Sequence, residues 1–158
     1  GEFSDMKSWV LAKLLWNPDL DTFALVREFI SNYYGAAAPY IQQYFDLCHS
    51  LIKDDTVMGI YINQHNPLYT DEFVDEAQAI LAKAKEAVAD DNEQMQLRVD
   101  KVVLQIKYLY MMRKPQQAIA DGTRDWVFDF IRKHGILVNE PLSIEEAIKR
   151  YNDQYDTK

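Results

Sequence analysis

Apolar residues recur every three or four positions along most of this chain, and short polar breaks divide that rhythm into helical segments. The first opens at Ser4, which can cap a helix with Asp5 in its first turn; Phe3, Met6, Val10 and Leu14 then recur, with Leu11 and Leu15 beside them. Pro18 stops this helix, because its ring disfavours a helical residue before it. Asp21 suits the cap of a second helix whose stripe is Phe23, Val26, Ile30 and Tyr33. Gly35 can take the left-handed closing position. A third helix is predicted from about Ala36 or Ala37 to Lys53, with Pro39 in its first turn. Tyr40, Tyr44, Leu47 and Leu51 line one side of it, next to Ile41, Phe45 and Cys48.

The stretch "DDTVMGIYINQHNPLYT" then breaks the rhythm and predicts a longer irregular loop over about 54–70. Thr70 caps a fourth helix with Asp71 and Glu72 in its first turn and a stripe of Phe73, Ala77, Ile80, Ala84 and Ala87. After "DDNEQ" a fifth helix carries Val99, Val102, Val103, Ile106, Leu109 and Tyr110 and is apolar nearly all round, the mark of a buried helix. Pro115 reads as an interruption and "ADGT" as a loop. A sixth helix holds Trp126, Val127, Phe130 and Ile131 and stops at "RKHG". Ser143 and Glu146 form an S-x-x-E capping box for a last helix ending near Tyr151. The prediction is all-α: a bundle of six to seven helices in a single domain, 1–158, with one irregular loop.

Composition agrees with a packed fold. A chain of 158 residues that is 48% hydrophobic and 27% charged can bury a real core. The net charge of −8 repels phosphate backbones, so nucleic acid is not an expected partner. A membrane is not expected either: the most apolar window, Leu97–Met112, is interrupted by Arg98, Asp100, Lys101 and Lys107.

The chain offers little chemistry. Cys48 is the only cysteine, which rules out an internal disulfide and a multi-thiolate metal site. His49, His65 and His134 fall on different elements, with neither H-E-x-x-H nor C-x-x-C nearby. There is no G-x-S-x-G and no phosphate-binding glycine loop, and the carboxylates read as solvated helix ends. No catalytic residue, metal or cofactor is predicted. The candidate site is a set of flat rings and amides: Trp16, Asn17, Tyr61, Asn63, His65 and Tyr69, with Asn66 among them. Aromatic faces stack on sugar rings and amides bond hydroxyls, so the set suits carbohydrate. The bland alternative has Trp16 plugging the first corner and the loop tyrosines sealing the bundle.

The stretch "LLWNPDLDTFALVREFISNYYG" carries a resemblance. Its W-N-P corner (Trp16, Asn17, Pro18) and Y-Y-G close (Tyr33, Tyr34, Gly35) resemble the C-terminal helical region of a bacterial family classed as a domain of unknown function. Members of that family look like large, often secreted, glycoside-hydrolase-like proteins with a (β/α)₈ barrel followed by helices, similar to regions after the barrels of α-glucuronidase-like and N-acetylglucosaminidase-like enzymes. The resemblance implies that this chain is the C-terminal part of a longer secreted or periplasmic protein. It implies a non-catalytic support for the missing N-terminal barrel, in contact with it through Trp16, Asn17 or the Tyr61–Tyr69 loop. Separated from that barrel, the chain should expose an apolar face on which two copies can pair. A stand-alone carbohydrate-binding or helical protein-interaction module is the alternative.

Overall fold

The computed structural model describes residues 3–53, 56, 66–137 and 142–156. The chain is all-α: the described residues contain eight α-helices and no strand. They are α1 (Ser4–Trp16), α2 (Thr22–Tyr33), α3 (Ala38–Ser50), α4 (Asp71–Ala87), α5 (Glu93–Arg113), α6 (Pro115–Ala120), α7 (Thr123–His134) and α8 (Ile144–Tyr155). Gly35–Ala37 adds one 3-10 turn.

Local chemistry sets most of the ends. The Asp21 carboxylate accepts from the backbone N–H groups of Phe23 and Ala24 at 2.8 and 3.0 Å, opening α2. The Thr70 hydroxyl accepts from Phe73 N–H at 3.1 Å and opens α4. At α8 the expected capping box is complete: Ser143 N–H donates to the Glu146 carboxylate at 2.9 Å, and Glu146 N–H donates back to Ser143 Oγ. Gly135 closes α7 at φ +62°, after Arg132, Lys133 and His134 in the last turn.

Four expectations shift. Ser4 is not a cap; Phe3 precedes α1 in a left-handed conformation, φ +53°, without a side-chain cap bond. Its ring lies 6.1 Å from Tyr44 and 5.9 Å from Phe45, and that packing holds a backbone angle that a bare chain avoids. The third helix starts only at Ala38, because left-handed Gly35 begins a tight 3-10 turn first. Pro115 starts a short helix rather than merely interrupting one, since a first-turn proline loses no hydrogen bond. Finally, α8 runs past Tyr151 to Tyr155: the two rings meet at 4.7 Å, and Gln116 donates to the Tyr155 carbonyl at 3.0 Å.

The structure divides into two compact units, Gly1–Gln105 and Ile106–Lys158. In the first, α2 packs between α1 and α3, and α3 makes its broadest contact with α4. Leu25, Val26, Phe29 and Ile30 of α2, Ile41 and Tyr44 of α3, Val74, Ala77 and Leu81 of α4 and Val99 of α5 are buried there. Each of the larger side chains contributes on the order of 1.5–3 kcal/mol by leaving water. In the second unit α7 packs on α6 and α8, with Val127, Phe128, Ile131, Ile148 and Tyr151 buried. Tyr151 donates to the Met111 carbonyl at 3.0 Å, and burial raises its phenol above the ordinary range.

Candidate functional site

The two ends of α2 use the same residue types in opposite ways. At its C-terminal end the Y-Y-G close is built inward. Tyr34 is 4% exposed and meets Phe29 and Tyr33 edge-on, at 6.4 and 5.1 Å. The Tyr33 ring stacks on Phe29 at 4.6 Å and carries the Arg98 guanidinium 4.1 Å from its centre. Arg98 also donates to the Tyr33 carbonyl at 3.0 Å, satisfying an acceptor at the helix end. The Tyr33 hydroxyl donates to Asp5 on α1 at 2.9 Å. Burial, then the Asp5 bond and the Asp5 charge, raise the Tyr33 phenol above its ordinary value, and Arg98 opposes them. Gly35 follows at φ +51°, and a Cβ there would lie 3.3 Å from Met95 Cε. These residues form a structural knot.

At the N-terminal end the W-N-P corner is built outward. Asn17 caps α1: its N–H donates to the Lys13 carbonyl at 2.9 Å, and its Oδ1 accepts from Asp19 N–H at 3.1 Å. Asp21 then caps α2, so polar groups alone make the turn. Trp16 is 91% exposed, which corrects the picture of a ring plugging the corner. Trp9 is half-buried instead, 5.7 Å from Phe29 with the Lys13 ammonium over its ring at 4.9 Å.

Other apolar side chains join Trp16 in solvent: Leu11 at 58%, Leu15 at 78%, Leu20 at 37% and Phe23 at 57% exposure, with Ile52 also exposed. Leu11 and Leu15 are one turn apart on α1, and Leu15 lies roughly 180° around the helix from buried Met6. The Phe23 ring meets the edge of His49 at 6.2 Å, and His49 lies 4.0 Å from Phe45, so the start of α2 adjoins the end of α3. Phe23 therefore faces the end of α3, while Leu11 and Leu15 stand on the side of α1 away from its buried Met6. The sequence places Phe23 in the stripe of α2 and Leu11 and Leu15 beside that of α1, and all three side chains are exposed. The available signal was that Leu11 and Leu15 sit off the stripe of Met6, Val10 and Leu14.

The remaining candidates are not brought to this corner. Tyr69 is half-buried, and its ring stacks on Phe73 at 5.9 Å. Asn66 bonds Leu68 N–H through its side chain at 2.9 Å, closing a local turn. Tyr61, Asn63 and His65 lie outside the described residues.

Elsewhere in the first unit a shallow depression of about 380 Å³ lies between α4 and α5. Lys85, Glu86, Val88, Ala89, Gln96, Val99 and Asp100 line it. Lys85 and Asp100 pair at 2.7 Å, and Gln96 is used up by the carbonyls of Ala89 and Asp91. Among the described residues no three His, Cys, Asp or Glu side chains gather as metal ligands, and no helix is long and apolar enough to cross a membrane.

Residues 1–46 match the model of a family described as a domain of unknown function (DUF4838). No curated protein and no solved structure matches the chain. The matched residues comprise α1, α2, the 3-10 turn and most of α3, and so include both corners of α2.

Proposed function

We propose that this chain is a non-catalytic helical accessory domain of a secreted, glycoside-hydrolase-like protein, packed against a catalytic (β/α)₈ barrel elsewhere in that protein and bordering its substrate cleft. The carrying observation is the corner after α1, where the neighbouring side chains of Leu15 and Trp16 are 78% and 91% exposed. Adjacent large apolar side chains left in water suit an interaction site better than a finished exterior. That corner falls within the segment similar to the family, and the resemblance of the W-N-P and Y-Y-G corners to helices that follow barrels supplies the neighbour. The role is mechanical: α1 and α2 supply a preformed surface, and the rigid Y-Y-G knot fixes its angle.

The test is hydrolysis of a panel of aryl glycosides and uronides by the full-length gene product and by this chain, side by side. Activity in the full-length protein alone is the expected result. Hydrolysis by this chain would overturn the reading.

The exposed Trp16 ring also favours a second reading, a carbohydrate-binding module, because a bare indole beside an amide is a stacking platform. The Tyr69 ring is partly occupied by Phe73, which weakens that reading. Quenching of Trp16 fluorescence by a soluble oligosaccharide, lost in Trp16→Phe, would support it.

A further inference from the structure

Asp121 is the one aspartate or asparagine of this chain that a glycine follows. Glycine has no side chain to hinder its own nitrogen, so that nitrogen can attack the carboxyl carbon of a preceding aspartate. We propose that Asp121–Gly122 is a modification site, where the chain isomerises to isoaspartate whenever a clasp formed by Tyr110 and Thr123 opens. The site lies wholly in the second unit and owes nothing to the accessory reading.

The chemistry needs only water. Gly122 N forms a bond to Asp121 Cγ. The amide proton and one carboxyl oxygen, with its own proton, leave as water, and a five-membered succinimide remains. Water then adds to either carbonyl of that ring. Addition at Cγ breaks the new bond and restores aspartate. Addition at the main-chain carbonyl breaks the original peptide bond, and the main chain then runs through Cβ and Cγ.

The fold holds each requirement of this reaction back. Both carboxylate oxygens are tied: Thr123 N–H donates to Oδ1 at 2.9 Å, and the Tyr110 hydroxyl on α5 donates to Oδ2 at 2.8 Å. Ring closure needs Gly122 N to eclipse Cβ about the Cα–C bond of Asp121. With ψ at 2° it eclipses the backbone nitrogen of Asp121 instead. Loss of water also needs a protonated carboxyl. Desolvation pushes this acid up, but the Thr123 and Tyr110 bonds and the Lys107 charge outweigh it and hold the carboxyl below its ordinary value.

The restraint is local, so a local opening removes it. Asp121 and Gly122 are exposed, and nothing lies within 4 Å of where a Gly122 Cβ would stand. The attacking nitrogen is weakly engaged, since its N–H reaches the Ile119 carbonyl only at 3.4 Å. Losing the Tyr110 and Thr123 bonds frees the carboxyl, the backbone angle and the proton affinity together. Isomerisation then lengthens the α6–α7 connection by one methylene and moves the carboxyl off the clasp, so the corner cannot close as before.

The test holds the purified chain at neutral pH and physiological temperature for weeks, beside the same chain unfolded in guanidinium chloride. Residues 114–124 are then scored for isoaspartate by electron-transfer fragmentation, which separates the two isomers of equal mass. The folded chain should isomerise at least about tenfold more slowly than the unfolded one, because the corner is open only a small fraction of the time. Tyr110→Phe keeps the ring and removes the hydroxyl. It should raise the folded rate about tenfold, the usual consequence of losing one hydrogen bond to a charged acceptor, with circular dichroism unchanged. Equal rates in the folded and unfolded chain overturn the inference, and so does an unfolded chain that stays unmodified. A folded Tyr110→Phe that isomerises no faster than wild type also overturns it. The comparison of folded with unfolded wild type needs no variant and decides the matter even if Tyr110→Phe fails to fold.

Discussion

Helix α2 begins and ends in aromatic corners of similar composition, and they have opposite fates. Tyr34 is 4% exposed and Trp16 is 91% exposed. Local bonds shape both turns, but at the Y-Y-G close a distant group, Arg98, also satisfies the Tyr33 carbonyl. What decides the difference is whether a distant segment arrives. Arg98 and Met95 of α5 come over the Y-Y-G close, Arg98 from 65 residues further along the chain, whereas no comparable cover meets Trp16 among the described residues. Burial belongs to the assembly of segments, and a large ring records only a capacity for it.

The comparison can be broken by truncation. Tyr34→Ala should cost about 3–5 kcal/mol, the usual loss for a buried aromatic, while Trp16→Ala should stay within about 0.5 kcal/mol. Urea unfolding followed by circular dichroism measures both; equal losses would dissolve the contrast. Next in size is the glycine. Gly35→Ala forces a side chain into the left-handed region and against Met95, and about 1–2 kcal/mol of destabilisation is expected in the same assay. Asp21→Ala, which removes the shared cap at the start of α2, should cost about 1 kcal/mol.

The smallest effect concerns pH. The Tyr33 phenol is raised by burial and by Asp5, so the folded chain holds that proton more tightly than the unfolded chain. Its contribution is fully present below pH about 10 and is lost as pH rises through the raised folded value. Denaturation midpoints of wild type and Tyr33→Phe should therefore converge toward alkaline pH.

Much of the fold is legible in the sequence because caps act locally. Asp21, Thr70, Gly35, Gly135 and the Ser143–Glu146 pair can each be read from neighbouring residues, and each holds its predicted role. The failures are failures of range. Phe3 displaces Ser4 at the start of α1 because two rings of α3 hold it. The burial of α2 rotates from Phe23 and Tyr33 toward Leu25 and Phe29, the positions its neighbours cover. The candidate site was legible only in part. The W-N-P corner is distinctive in the sequence, but its exposure is not, since periodicity reveals an apolar face without saying what meets it. Tyr61, Asn63 and His65 lie outside the described residues, and Tyr69 turns to Phe73.

The close approach of Met95 to Gly35 has one further consequence, for oxidative ageing. A thioether is tolerated over a bare glycine because it is soft and apolar. Conversion to the sulfoxide would place a polar oxygen over the turn that anchors the Y-Y-G knot, at a point with no side chain to yield. The side chain that lies over the turn would thus be its chemical weak point, and reduction of that sulfoxide would restore the original contact.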